Sequence, residues 1–441
     1  MKKINIVPDN FEIERPPDTH EVKEESVDLN QEKLTLFEKI ESSNKHFFIT
    51  GKAGTGKSLL LQYLRKNTKK AVVVVAPTGV AAINVNGQTI HSLFRMPPSF
   101  IAPDSLPFNQ NVAEVLRHVD LILIDEVSMV RADLMDAIDF RLRQAREEIA
   151  PFGGVQVVMF GDLYQLPPIV SDSELHKYFV DNHGGFHFFN ANVWKSQEFE
   201  KHELKEVFRQ KDEEFKNLLN AIRVGENSSE IMSLINSRVN AQLPTEGYIH
   251  LCSTNSKATQ INNSKLNEIK EPEFTFLASI SGELDEKSFP ADEILKLKKG
   301  AQVMMLKNDF DKRWVNGSLG TIASVSKDEI KVKIDGIIYT VAIGVWQKIK
   351  YFYNKKTKKL EEKPISSFTQ YPIRLAWAVT IHKAQGKTFD KIIIDLDGGS
   401  FAAGQTYVAL SRCTTLDGVF LTDKIYSQDI KVDPNVVNFM S

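Results

Sequence analysis

The sequence predicts an α/β fold, with two parallel-sheet regions covered by helices and a small β-barrel inserted in the second. Three observations carry that prediction. In the first half, strands with no wet face, such as AVVVVA at 71–76, alternate with helical stretches. A second set of such strands follows a helix over 212–224. Between about 309 and 370 the apolar period changes from helical or continuous to two.

Taken in order, residues 1–28 come first as an acidic, proline-containing tail without periodicity, expected to be disordered. The first lobe is expected over 29–195. A short helix carrying Leu34, Phe37 and Ile40 leads to a strand at 46–50, and further strands are predicted at 71–76, 120–125 and 155–160. Leu134, Ile138 and Leu142 recur at helical spacing between them. The second lobe is expected over 196–308 and 371–441. Its helix at 212–224 has Phe215, Leu218, Leu219 and Ile222 on one face and Gly225 as its stop. Its strands are predicted at 248–253, 373–379, 391–396 and 419–422. The inserted barrel, 309–370, shows Ile330, Val332 and Ile334, then Asp335-Gly336, then apolar residues from Ile338 to Val341, which is a hairpin signature.

Composition excludes several classes. With 42% hydrophobic and 25% charged residues in a chain of 441, neither a fibrous nor a wholly disordered protein is expected. No apolar stretch approaches the roughly 18 residues of a membrane span. The start, MKKINIVPDNFE, has too short an apolar segment before Pro8 for a secretory signal. Cys252 and Cys413 alone make neither a zinc site nor a disulfide framework, so a reducing cytoplasm is the expected compartment. His20, His46, His118 and His250 lack ligand spacing. The net charge of −2 decides little, because residues 1–28 carry eight acids against four bases and leave the remainder at +2.

The strongest chemical signal is GKAGTGKS at 51–58, between a strand and a helix. It fits G-x-x-x-x-G-K-[ST], in which glycines let backbone N–H groups curl around phosphates and the helix N-terminus adds positive potential. Gly51, Ala53, Gly54, Thr55 and Gly56 form the loop, Lys57 reaches the β- and γ-phosphates, and the Ser58 hydroxyl ligates magnesium. LILIDE at 121–126 ends an apolar strand in two acids. Asp125 suits the magnesium shell, and Glu126 suits the activation of an attacking water. A third strand end, at 160–168, offers Gln165. Arg209 and Arg412 supply guanidinium groups from the second half, matched to charge on a transferring phosphate. Gln405 precedes Arg412 by seven residues, so on a helix the two would share a face.

These elements together resemble superfamily 1 helicases and, among them, the superfamily 1B DNA helicases of the PIF type. The ordered matches are GKAGTGKS, APTGVAA (76–82), TIHSLF (89–94), DEVSM (125–129), GDLYQLPP (161–168), LKEVFRQ (204–210), LCSTNSKA (251–258), WAVTIHKAQGKTF (377–389) and GQTYVALSRC (404–413). The stretch from Met129 through PFGG at 151–154 looks like the segment that marks the PIF branch. The resemblance implies two RecA-like lobes with ATP and Mg2+ in the cleft between them. It implies single-stranded DNA across both lobes, 5′-to-3′ translocation, and unwinding of forks or structured DNA by a monomer without membrane attachment. By position it assigns Lys57, Ser58, Asp125, Glu126 and Gln165 to the cleft from the first lobe, and Arg209, Gly386 and Arg412 from the second. It assigns Pro77, Thr78, His91, Thr254, Asn255, His382 and Lys383 to the strand. Where the family often carries an adenine-reading glutamine, this chain has Lys33, so other nucleoside triphosphates are admitted as fuel.

Two further stretches admit a role on DNA or plain packing. FRMPPSFIAPDSLPF at 94–108 is a stiff, phenylalanine-bearing loop that could form a wedge or pack on its own lobe. Residues 346–363 interleave Trp346, Tyr351, Phe352 and Tyr353 with lysines, a recipe for gripping single strands or a solvated hairpin. Three rival readings remain at this point: a RecD-like helicase of the same superfamily, a P-loop ATPase switch acting on a protein partner, and a phosphotransferase. PFGG argues against the first, TIHSLF and VTIHKAQG against the second, and the adjacent acids Asp125 and Glu126 against the third.

Overall fold

The computed structural model describes residues 29–441 apart from Pro98, Pro103, Asp104, Ser171, Phe208, Arg209, Lys211, Asn240, Thr245, Glu246 and Lys312. The expected acidic tail and Arg209 therefore lie outside the described residues. The first lobe is built on six parallel strands: β1 (His46–Gly51), β2 (Val72–Ala76), β3 (Gln88–Thr89), β4 (Leu121–Ile124), β5 (Gln156–Phe160) and β6 (Phe199–Leu204). Their order is β3-β2-β4-β5-β1-β6. Alternate residues serve opposite faces, as a strand's period of two requires. Phe48, Val73, Val75, Ile122, Ile124, Val157 and Met159 enter one apolar cluster, while Phe47, Ile49, Val74, Leu121, Leu123, Val158 and Phe160 enter another. That is why these strands carry no polar face.

β6 corrects the predicted boundary of the first lobe. His46–Gly51 pairs in parallel with Phe199–Leu204 along its whole length, so the lobe runs past 195 to at least Leu204. The strand has no continuous apolar run because it is an edge, and its sequence, FEKHEL, leaves four polar side chains to solvent or partial burial.

The second lobe carries β7 (Ile249–Cys252) and, beyond an inserted antiparallel region, three further parallel strands. The insertion holds β8 (Phe274–Leu277), β9 (Ser279–Ser281), β10 (Ile294–Leu297), β11 (Gln302–Met305), β12 (Leu319–Val325), β13 (Ile330–Ile334), β14 (Ile337–Thr340), β15 (Gly344–Asn354), β16 (Lys359–Gln370) and β17 (Ile373–Leu375). They pair as β10-β8, β14-β13-β12-β11-β17 and β15-β16-β9. Leu295, Leu297, Val303, Met305, Trp314, Ile322, Val332 and Ile373 share one core among them. The Asp335-Gly336 turn has φ of 49° and 84°, the pair of positive angles a two-residue hairpin of this twist demands.

The insertion is thus larger than the predicted 309–370, reaching from 274 to 375. The predicted strand at 373–379 is two strands. β17 pairs antiparallel with β11, and β18 (Ala378–Thr380) pairs in parallel with β7. The uninterrupted apolar run hides the change of sheet at Ala376-Trp377. Gln302 staples the crossing, its side-chain amide donating to the carbonyls of Tyr248 (2.5 Å) and Ala376 (2.7 Å). With β19 (Ile392–Asp395) and β20 (Val419–Leu421), the second parallel sheet has the order β18-β7-β19-β20.

The aromatic and lysine-rich stretch is the β15–β16 hairpin, and two of its rings, Tyr351 and Tyr353, are set against the first lobe. The Tyr351 hydroxyl accepts from the Val74 amide (3.2 Å), and Tyr353 stacks on His118 with centroids 3.3 Å apart. Gln88 donates to the Ile349 carbonyl (2.7 Å), and Arg65 grips Glu362 through both carboxylate oxygens (2.9 and 3.0 Å). The proline-rich loop is likewise tied to its own lobe. Phe94 and Ile101 are buried, the Ile101 amide donates to Asp133 (2.9 Å), and Phe100 packs edge-on against Tyr178 (4.9 Å). Phe108 is exposed.

Candidate nucleotide cleft and strand groove

The phosphate loop turns from the end of β1 into the helix Lys57–Asn67. Gly51 is required by proximity as much as by its φ of 153°, since a Cβ there would meet Thr55 Oγ1 at 2.8 Å and the Leu204 carbonyl at 2.9 Å. Gly56 has φ 85°, and a Cβ would press on the Lys33 side chain at 3.0 Å. Lys33 is buried beneath the loop and donates through Nζ to Asn30 Oδ1 (3.2 Å). Lys57 folds back over the loop, its Nζ donating to the carbonyls of Gly51 (2.6 Å) and Lys52 (3.1 Å). Burial lowers the Lys57 pKa, against the pull of Asp162, Glu126 and Asp125. Ala53 and Thr55 are buried, whereas Ser58 stands exposed in the first helical turn.

Asp125 and Glu126 follow β4, and Glu126 takes a left-handed backbone (φ 49°). A non-glycine residue in that region is held there by its surroundings, and such strain collects at working sites. Burial, and then the neighbouring Glu126 charge, push Asp125 up to about 7. Burial also raises Glu126, while the charges of Lys57 and Arg412 oppose it. A cation beside this pair would restore its ionised form.

Gln165 lies buried at the end of the segment after β5, its Nε2 donating to Asp162 (3.3 Å). Gln385 of the second lobe bridges to both: its Nε2 donates to Glu126 Oε2 (3.1 Å) and to Gln165 Oε1 (3.0 Å). The neighbouring Gly386 has φ 79°.

Three residues outside the predicted set complete the junction. The Tyr407 hydroxyl accepts from the Ala53 amide (3.2 Å) and donates to Asp162 Oδ2 (3.2 Å), tying the helix Gln405–Leu410 to the phosphate loop. Arg223, at the end of the helix Glu213–Arg223, pairs with Asp162 (3.1 Å) over the Tyr164 ring (4.3 Å). Burial alone would raise Asp162, but Arg223 and Lys57 hold it below its usual value. Arg223 has no spacing signal, and Asp162 and Tyr407 stand inside GDLYQLPP and GQTYVALSRC without their pairing being visible there, because the three meet only through the fold.

Arg412 is 1% exposed and is held by the carbonyls of Val408 (2.9 Å) and Lys387 (3.4 Å) and by Ser411 Oγ (2.7 Å). Gln405 does not share its face. The helix ends at Leu410, before Arg412, and Gln405 Oε1 accepts from the amides of Phe401 (3.0 Å) and Ala402 (3.3 Å).

A cavity of about 590 Å³ lies beside the cleft. Pro167, Pro168 and Ile169 form its first-lobe wall, facing Thr254, Asn255, His382 and Lys383 of the second. Thr254 and Thr380 cap the helices Asn255–Glu268 and Ile381–Ala384, accepting from Lys257 and Lys383 amides (both 3.3 Å). Burial lowers the pKa values of both His382 and Lys383, the latter helped by Arg374. Pro77, Thr78 and His91 are not among the lining residues. Thr78 caps the helix Gly79–Asn84, and Gly79 lies so close to Ser288 of the insertion that a Cβ would meet it at 2.7 Å.

Two parallel-sheet lobes that meet over one phosphate loop are the architecture of the superfamily 1 P-loop motors. Family models narrow this: that for PIF1-like helicases matches residues 28–233, and that for the 2B domain of the DNA helicase Pif1 matches 283–325. The chain is 31% identical to the ATP-dependent DNA helicase Pif1 of Campylobacter jejuni over 92% of its own length and 96% of the other. Unliganded Pif1 from Bacteroides sp superposes with a TM-score of 0.87 at 40% identity, covering 94% of this chain and 97% of that one. The same helicase bound to single-stranded DNA superposes at 0.67, with 40% identity and coverage of 94% and 96%. The chain belongs to the PIF1-like helicase family.

Proposed function

We propose that this chain is an ATP-dependent DNA helicase that moves 5′ to 3′ along single-stranded DNA and opens forks or structured DNA as a monomer. The observation that carries the reading is the contact between chemistry and groove. Gln165 and Gln385, hydrogen-bonded to one another, stand two residues from Pro167 and two from Lys383, on opposite walls of the strand cavity.

The loop Gly51, Ala53, Gly54, Thr55 and Gly56 holds the phosphates by its amides, and Lys57 neutralises the β- and γ-oxygens. Ser58 and Asp125 are hard oxygen donors suited to Mg2+. That ion supplies charge neutralisation on the phosphates. Glu126 takes the proton as water oxygen bonds to the γ-phosphorus and the bond to the β-bridging oxygen breaks. Gln165 orients the water, and Arg209, Arg412 and the Gly386 amide receive the charge that develops. Hydrolysis lets the lobes part, and the grips of Pro77, Thr78 and His91 on one lobe and Thr254, Asn255, His382 and Lys383 on the other tighten in turn. Each grip must differ in affinity between the open and closed states for the strand to advance. Lys33 under the phosphate loop leaves room for nucleotides other than ATP.

ATPase measured with and without a single-stranded oligonucleotide, followed by unwinding of forks with a 5′ or a 3′ tail, tests this. Strong stimulation and unwinding only from the 5′ tail are expected. Turnover indifferent to DNA contradicts the reading, and unwinding only from the 3′ tail contradicts the polarity.

A further inference from the structure

One side chain joins the hydrolytic pair to the groove, and it bonds one oxygen of each member. Only the amide NH2 of Gln385 can donate to a carboxylate, so its orientation is fixed by Glu126 Oε2 at 3.1 Å and Gln165 Oε1 at 3.0 Å. A water-activating Glu126 must offer an oxygen to the water, and a water-orienting Gln165 must offer its carbonyl. In this arrangement the Gln165 carbonyl and one of the two Glu126 oxygens are held by Gln385, which fixes the direction of both side chains. Gln385 is the cap residue that ends the helix Ile381–Ala384, a single turn whose His382 and Lys383 line the strand cavity. The helix N-cap, Thr380, lines the same cavity, as does Phe401, whose ring lies near-parallel to that of His382 (15° between planes, centroids 6.4 Å apart). A strand seated against His382 and Lys383 therefore bears on a four-residue element whose next residue is the clasp.

We infer that Gln385 is a positioning residue that restrains Glu126 and Gln165 while the groove is empty and releases them when a DNA strand displaces the His382–Lys383 turn. This rests on the helicase reading above. It goes beyond that reading in assigning the restraint on DNA-free turnover that the reading expects to one hydrogen-bonded amide rather than to the lobes' separation alone.

The test is steady-state ATPase of the full chain, wild type and Gln385→Leu, without DNA and at saturating single-stranded oligonucleotide. DNA-free kcat should rise by about tenfold, the rate equivalent of one hydrogen bond to a charged group, with KM for ATP little changed. DNA-saturated kcat should stay within about twofold, so the stimulation ratio collapses. Gln385→Asn, whose amide cannot span both acceptors, should behave alike, and it decides the matter should the leucine variant not fold. Oligonucleotide affinity without nucleotide reports the fold of both. A stimulation ratio unchanged in both variants overturns the clasp, as does an equal fall of both rates, which marks a residue needed for chemistry only. A wild type unstimulated by DNA overturns the helicase reading first and the clasp with it.

Discussion

His46 opens β1 with Nδ1 accepting from the Val157 amide (3.0 Å), between the rings of Phe152 and Phe199. Burial lowers its pKa to about 4, although Gln197 raises it in part. The folded protein thus keeps it neutral while the unfolded chain protonates near the ordinary value of 6.5. Stability should be full above pH 6.5 and fall by about 3 kcal/mol as pH drops toward 4. Urea unfolding at stepped pH should show that slope flattened in His46→Gln, and an identical slope would assign it elsewhere. Lys57→Ala should lose ATP turnover by about a thousandfold or more while keeping single-strand binding, since electrostatic stabilisation of the phosphates goes. Retained unwinding would remove Lys57 from the site. Lys57, Asp125, Glu126 and Gln165 were legible in the sequence because each sits at a fixed offset from a strand end. Arg223 was not, because a lone polar residue becomes a site only when topology brings its partner to it, and Asp162, Gln385 and Tyr407, although inside matched motifs, take their roles only from partners the fold supplies.

At the scale of elements, the apolar strands announced themselves because both their faces are buried. β6 and the short strands of the insertion did not, being edges or half-wet. The Asp335-Gly336 hairpin was legible from turn chemistry, whereas the switch between β17 and β18 was masked by continuous hydrophobicity. In the 346–363 stretch, Tyr351 and Tyr353 are fixed to the first lobe, so two of its four aromatic residues serve packing. β3 is two residues long and pairs only with Val75 and Ala76, so the Val74 amide finds the Tyr351 hydroxyl instead of a strand. Tyr351→Phe leaves that buried N–H unpaired and should cost about 1–3 kcal/mol. Hydrogen exchange should quicken in residues 344–370 while β4 and β5 stay protected. Unchanged exchange in the hairpin would show that its docking does not depend on this bond.

At the scale of the molecule, one apolar cluster runs from Phe48 and Ile122 in the first sheet to Leu251 in the second and Tyr407 in the helix Gln405–Leu410. Polar contacts cross the same seam, from Tyr407 to Ala53 and from Gln385 to Glu126. The two-lobe plan was legible because phosphate loops and strand-end acids recur in a fixed order. The lobe boundaries were not, because the first sheet borrows β6 from beyond its expected end and the insertion borrows strands from both flanks. The central claim is that nucleotide is hydrolysed in a cleft both lobes complete. The most direct measurement is turnover and nucleotide affinity, side by side, in Arg412→Ala. Binding of a fluorescent ATP analogue should persist within about threefold while DNA-stimulated turnover falls by about a thousandfold, the scale of a lost arginine finger. Turnover equal to wild type would show that the second lobe takes no part in the chemistry.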